Sequence, residues 1–361
     1  MKKIHRADLL RQFRNLWRKR RKQKKDLAKA RRSVHRRLRK LPGEGQTQLT
    51  RIVAPENFSL TRGDGGRVDA LLHMVEQVVL GSSQPVRIDF RNTKRLYVPG
   101  ALLLYAGLDS VLRRCIGVER PIRIIPPTSS RAQQVMKQIG IFDLCGLSSP
   151  VQPTRKDVIY WRLATGSTQS GDELRILDVI ADRVNRSDAE NVQKSGLWRG
   201  VSEAVNNAHE HGYKRPRADG SGDIGPPRWW LLTQIRDQTF TAAVCDLGCG
   251  YAATLDAEIM EWFKGIIPRL RAVENGDTQA IQAAMEYGRS STRKSERGRG
   301  SRDALALLER HGDGDLYVLS NSGYVRYSCK QNKVVVRSVS PLDFSVRGTI
   351  IWWNLRLRST P

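Results

Sequence analysis

Glu203, Asn207 and His211 recur every fourth residue in the stretch Gly200-Val-Ser-Glu-Ala-Val-Asn-Asn-Ala-His-Glu-His-Gly-Tyr213. A helix carries three such positions within about 80° of arc. A carboxylate and a carboxamide one turn apart can orient a water and ligate a hard cation such as Mg²⁺, which prefers oxygen donors. The competing reading of the same spacing is a solvated helix face. Forty residues on, Phe240-Thr-Ala-Ala-Val-Cys-Asp-Leu-Gly-Cys-Gly-Tyr251 runs from an apolar strand into Asp246-x-Gly248-x-Gly250. A carboxylate at a strand end can accept a hydrogen bond from an exocyclic amine, and the two glycines let the backbone turn tightly beside a ligand. Further on, Gly298, Arg299 and Gly300 lie in Glu296-Arg-Gly-Arg-Gly-Ser-Arg-Asp-Ala-Leu-Ala-Leu-Leu-Glu309, a glycine-rich turn opening a helix. Such a turn presents unpaired backbone N–H groups to phosphate. Last comes Arg347-Gly348-Thr349, leading into a strand at Ile350–Leu355.

These residues need elements to hold them. Val201, Ala204, Val205 and Ala208 supply the apolar side that sets the first helix against a sheet. Trp229-Trp230 and Trp352-Trp353 fit strands of that sheet as core or interface. Residues 214–227 are rich in Gly, Pro, Asp and Arg without an apolar period, the pattern of an exposed loop. Residues 252–297 hold helical patterns at Leu255–Phe263 and Thr278–Tyr287, and an insertion of this length between glycine-rich loops suggests a lid that orders on a bound ligand. Arg293, Lys294 and Arg297 at its end are within the set that could reach phosphate oxygens or simply be solvated.

In this order and spacing the four motifs resemble the histidine-kinase-like ATPase superfamily, over roughly residues 155–358. The segment Val201–Tyr213 looks most like the anti-sigma-factor serine kinases. The resemblance implies a two-layer α/β sandwich that binds ATP and Mg²⁺. It implies that Asn207 holds the metal, Glu203 polarises the attacking water or hydroxyl, and Asp246 takes the adenine amino group with Thr349 supporting it through a water. Gly248 and Gly250 would form the turn beside the base, and Gly298, Arg299 and Gly300 would close over the phosphates. The family usually continues Gly-x-Gly-Leu, whereas this chain has Ser301-Arg302 after its glycines.

Upstream, residues 50–150 alternate short strands and helices. Strands are expected between Ile52 and Leu60, at Val86–Phe90 and at Ile122–Ile125. Helices are expected at Gly66–Leu80, at Ala101–Ile116 after a break at Pro99-Gly100, and at Arg131–Ile139. Periodicity supports a small α/β layer domain, and the pattern is similar to the STAS domain of anti-sigma antagonists. Those antagonists place a phosphorylatable serine before a glycine at the helix start. Here Pro99 stands before Gly100, with Tyr97 two residues earlier. Proline cannot accept phosphate, so this domain is expected to dock partners or serve structure. Thr93 reads as a turn residue.

Charge is concentrated at one end. Residues 1–40 hold 19 Lys and Arg against Asp8 and Asp26, a net of +17 out of +26 for the chain, leaving +9 for the rest. Leu9, Phe13, Leu16 and Trp17 share a helical stripe, so residues 1–41 read as a basic helical arm suited to nucleic-acid phosphate or to an acidic protein partner. Leu41–Gln48 reads as a hinge. No apolar run reaches membrane-spanning length and no signal-peptide core is present at the N-terminus. The five cysteines read as reduced, buried thiols of a cytoplasmic protein. Pairing Cys245 and Cys249 with His209 and His211 would be a zinc reading, but the nucleotide motif already accounts for the strand and turn that carry those cysteines.

The sequence-level expectation is therefore a basic arm (1–41), a STAS-like domain (50–150) and a histidine-kinase-like ATPase domain (155–358). It would act as an ATP- and Mg²⁺-dependent switch with a protein partner, hydrolysing ATP or transferring its γ-phosphate to Ser or Thr. Two alternatives stay open, an ATPase subunit of a nucleic-acid-handling or defence system and a non-hydrolysing nucleotide-binding adaptor. A homodimer is compatible with each.

Overall fold

A computed structural model of the chain describes residues 49–61, 63–167, 194–213, 215–217, 226–255, 260, 265, 276–290 and 299–357. The basic arm, the hinge after it, Gly298 and the lid residues Arg293, Lys294 and Arg297 lie outside the described residues. The chain is mixed α/β, and its described parts form an N-terminal layer and a larger C-terminal layer.

The N-terminal layer is built on β1 (Thr50–Val53), β3 (Val86–Asp89) and β5 (Ile122–Ile125), a parallel sheet in the order β1-β3-β5. Two-residue strands β2 (Asn57–Phe58) and β4 (Arg95–Leu96) pair beside it. Helices α1 (Gly65–Glu76), α2 (Val98–Arg114), α3 (Ser130–Gln138) and α4 (Ile141–Leu144) complete the layer, with a π-helical extension of α1 at Gln77–Gly81. Ile52, Ile88 and Ile124 form one cross-strand row on the buried face. The expected break at Pro99-Gly100 is instead the first turn of α2, which starts at Val98. Proline's missing N–H is an orphan there in any case, so the ring costs the helix nothing. Gly100 lies against β2, where an added Cβ would sit 2.3 Å from the Phe58 carbonyl oxygen. Thr93 is buried, and its hydroxyl donates to the Pro55 carbonyl at 2.8 Å.

The C-terminal layer is a seven-stranded sheet, order β11-β10-β9-β12-β8-β7-β6, in which every neighbouring pair is antiparallel. Its strands are β6 (Arg162–Gly166), β7 (Trp229–Arg236), β8 (Thr239–Asp246), β9 (Asp313–Ser320), β10 (Gly323–Lys330), β11 (Lys333–Pro341) and β12 (Thr349–Arg356). Helices α5 (Lys194–Glu210), α6 (Tyr251–Thr254), α7 (Gly276–Ser290) and α8 (Arg299–His311) belong to the same half. One face of the sheet gives Leu231, Val244, Val318, Ile351 and Trp353 to a core shared with Val201 and Val205 of α5, Ile281 and Met285 of α7, and Leu305 and Leu308 of α8. The other face gives Trp230, Leu232, Ala243, Cys245, Ile350 and Trp352 to the core that holds the N-terminal layer. The sheet is thus covered on both sides, more than a two-layer sandwich, because strand alternation sends large apolar side chains to each face. Cys245, Cys249 and Cys329 are buried free thiols, but Cys115 and Cys145 are only half-buried.

Two charged clamps join the layers. Asp109 of α2, buried, accepts from Arg228 Nε at 2.8 Å, from Trp230 Nε1 at 3.1 Å and from Arg113 Nε at 3.0 Å. Arg347, just before β12, reaches Asp69 at 2.9 Å and Glu76 at 2.6 Å on α1. Removing one member of a buried charged network strands its partners. Asp109→Ala is accordingly expected to destabilise the protein by about 3 kcal/mol, measured by urea unfolding, whereas exposed Asp343→Ala should change it by less than about 0.5 kcal/mol.

Candidate functional site

Helix α5 turns the residues of its first motif toward one end of the sheet. Gly200 lets it press against α8, where a Cβ would meet Leu307 at 3.1 Å and the Asp303 carbonyl at 3.5 Å. The helix ends with His211 and Gly212 N–H groups donating to the Asn207 carbonyl at 3.0 and 3.1 Å. There the backbone meets the loop after β8. The Cys249 N–H donates to the Gly212 carbonyl at 2.6 Å, and a Cβ on Gly248 would sit 2.0 Å from that same oxygen. On the other side Gly348, at φ +148°, leaves no room for a Cβ, which would lie 2.2 Å from the Asp246 carbonyl. Glycine is required at both places because backbone, not side chain, fills the space.

The register of the sheet aligns Trp229, Asp246, Thr349, Ser320 and Gly323 in one row across five strands. Asp246 and Thr349 of that row line a cleft open to solvent, with about 460 Å³ of empty space, part of it open solvent. Asn207, His211, Gly212, Asp246, Gly250, Tyr251, Thr254 and Thr349 line it with polar groups and backbone, and Ala204, Val244 and Ile351 make its apolar wall. Gly250 takes φ +75°, and a Cβ there would press on Asn321 Nδ2 at 2.5 Å and Ser320 Oγ at 2.8 Å. Those two side chains hold the turn from below: Asn321 Nδ2 donates to the Cys249 carbonyl at 3.2 Å, and Tyr251 N–H donates to Ser320 Oγ at 2.8 Å.

Asp246 is 7 % exposed, and burial pushes its carboxyl up to about 6, opposed by N–H donors from Gly248 and Thr349 and by the positive Arg217. The Gly248 N–H lies 2.9 Å from Oδ1. A carboxylate offers about four lone-pair sites, so with two N–H donors it keeps capacity for a further donor from a ligand in the cleft. At neutral pH it is ionised. The unfolded chain loses this proton near 3.8, so between about pH 4 and 6 the folded protein binds more protons and its stability falls as pH rises. Above pH 6 the loss is complete, at about 3 kcal/mol for about two pK units. The difference in melting temperature between wild type and Asp246→Asn should therefore change across pH 4–6 and be flat above, as read by calorimetric scans at stepped pH.

Of the residues expected from sequence, Asn207, Asp246, Gly250 and Thr349 come together in this cleft, and Gly248 shapes its edge. Glu203 is half-buried one turn before Asn207 and stands outside the cleft lining. Arg299 and Gly300 open α8. His211, the third member of the four-residue recurrence, is exposed and lines the cleft. Sequence reading missed Gly212, Tyr251, Thr254, Ser320 and Asn321. Gly212 directly after a helix-patterned run is the one with a local signal, as a helix stop. Tyr213 was also missed as a brace: its hydroxyl donates to the Arg228 carbonyl at 2.7 Å and accepts from the Leu247 N–H at 3.2 Å. It thereby ties the cleft loop to the Asp109 clamp.

Among the described residues no group of three or more His, Cys, Asp or Glu side chains is arranged to hold a metal ion, so a cation here would rely on a single carboxamide plus ligand oxygens and water. No protein-family model and no curated protein sequence matches this chain.

Proposed function

We propose that this protein is an ATP- and Mg²⁺-binding regulatory switch of the histidine-kinase-like ATPase type, which hydrolyses ATP or transfers its γ-phosphate to Ser or Thr of a protein partner. The observation that carries the reading is the convergence of Asn207, Asp246, Gly250 and Thr349, four residues from three separate sequence motifs, on one cleft with an apolar wall. A buried carboxylate with spare acceptor capacity beside Val244 and Ile351 suits a flat heterocycle with an exocyclic amine, and it rejects a ligand that lacks the donor.

The residues present fit the nucleotide. Asp246 accepts from the adenine amine, and Thr349, paired with it across the sheet, places its hydroxyl to bridge through water. Ala204, Val244 and Ile351 cover the ring. Asn207 offers one oxygen to the cation, in keeping with the preference of Mg²⁺ for few protein ligands beside phosphate and water. When bound, Mg²⁺·ATP supplies an electrophilic γ-phosphoryl group with its charge partly neutralised. Glu203, one helical turn from Asn207, takes the proton of the attacking water or hydroxyl. Arg299 and Gly300 open α8, and the first N–H groups of a helix lack intrahelical partners and suit phosphate oxygens. The N-terminal layer, STAS-like in this reading, is the relay to a partner, because Arg347 ties α1 to the residue pair Gly348-Thr349 of the cleft.

Binding without turnover is the second reading, favoured by Glu203 standing outside the cleft lining. Incubation with γ-labelled ATP and Mg²⁺, alone and with native extract, separates the two. Free phosphate or a labelled protein supports the switch. Retention of intact, bound ATP supports the adaptor.

A further inference from the structure

The parallel sheet of the N-terminal layer carries a second chemistry on the face turned away from its isoleucine row. Register places Arg51, Arg87 and Arg123 directly beside one another on β1, β3 and β5. All three are exposed. Strand spacing puts the outer two within about 10 Å of each other. Like charges opposite one another on neighbouring strands are destabilising, so this row works against the fold. Parallel sheets are also normally covered on both faces, and among the described residues one face here carries three exposed guanidiniums.

Among the described residues one acid, Asp89, stands against the three guanidiniums of the row. Arg51 pairs with Asp89, which is also taken by Arg91 at 2.7 Å. Arg87 and Arg123 have no acidic partner among the described residues. Charge complementarity to Arg87 and Arg123 calls for a polyanion. The next row on the face is Val53, Asp89 and Ile125. With no aromatic ring in either row, the face has no platform for unstacked bases, which single strands require. Planar, fork-shaped guanidiniums at fixed spacing suit phosphate oxygens.

We propose that the Arg51–Arg87–Arg123 row is a docking face for the phosphate backbone of a nucleic-acid duplex. The contact is independent of base sequence and of the nucleotide cleft. Its strength comes from counterion release, about 0.9 in log–log salt slope per phosphate neutralised.

The test is fluorescence anisotropy of a labelled plain DNA duplex with the full-length protein, without nucleotide, from 50 to 200 mM salt. Arg87→Gln/Arg123→Gln is expected to lower the slope by about 1.8 and to weaken binding about 30-fold at 0.15 M salt. Its melting temperature should be equal to or above wild type, since repulsion is relieved. Lys333→Gln/Arg337→Gln removes the same charge from exposed positions on the edge strand β11, and should leave the slope unchanged. The proposal is overturned if wild type fails to bind duplex, if the Arg87/Arg123 variant keeps the wild-type slope, or if both double variants lower it equally. Binding to phosphatidylserine vesicles in preference to duplex would overturn it as well, assigning the face to an anionic membrane.

Discussion

Glu203→Gln is expected to cut phosphate release or phosphoryl transfer about 1,000-fold while ATP binding stays within about threefold of wild type. The size follows from the role: a positioned general base contributes about 10²–10⁴-fold. The isosteric amide removes the proton acceptor and keeps the helix face. Under the proposed function binding survives because the groups assigned to the base and the cation, Asp246, Thr349 and Asn207, line the cleft and Glu203 does not. Single-turnover assays at saturating ATP read the first quantity and equilibrium titration the second. Equal loss of both would move Glu203 from chemistry to structure.

The second large effect is steric. Gly248→Ala should destabilise the protein by about 3 kcal/mol or more and weaken ATP binding over about 100-fold. Gly248 has no positive φ, so alanine's backbone preferences are not the obstacle. The obstacle is the Gly212 carbonyl, 2.0 Å from where the methyl would stand. To make room, the loop must leave α5. That breaks the 2.6 Å bond from Cys249 N–H to Gly212 and disturbs the Gly248 N–H that supports the Asp246 carboxylate. Gly276→Ala is the control, since nothing lies within 4 Å of a Cβ there. Denaturant unfolding at constant m-value separates the two variants.

Much of this site was legible before the fold because its signals are local. The four-residue recurrence of Glu203 and Asn207, the apolar run ending in Asp246, and Thr349 opening a strand each sit within a dozen residues. The helix and strand periods of α1, α3, β3, β5, β8 and β12 were legible for the same reason. What stayed hidden is set by long-range pairing. Asp109 and Arg228 meet across 119 positions of sequence, and neither has a periodic signature. Strands β9 to β11 are hairpin partners whose mixed Tyr, Arg, Ser and Val pattern only acquires sides once paired. That the sheet buries both faces was not readable either, since Trp229-Trp230 looks the same whether one neighbour faces a helix layer or both do. Pro99 misled in the opposite direction: the same residue breaks a helix in its interior and is tolerated in its first turn. The arginine row is a further case, because Arg51, Arg87 and Arg123 become neighbours only through the parallel register.

Calorimetric titration of Mg²⁺·ATP into the intact protein, paired with Asp246→Asn, tests the central claim most directly. The account predicts saturable one-to-one binding to wild type, weakening as pH falls below about 6 because the protonated carboxyl no longer accepts from the amine. It predicts about 100-fold weaker binding to the variant, the worth of a hydrogen bond to a charged group. No heat of binding with wild type at saturating Mg²⁺, or equal affinity in the two proteins, would contradict it.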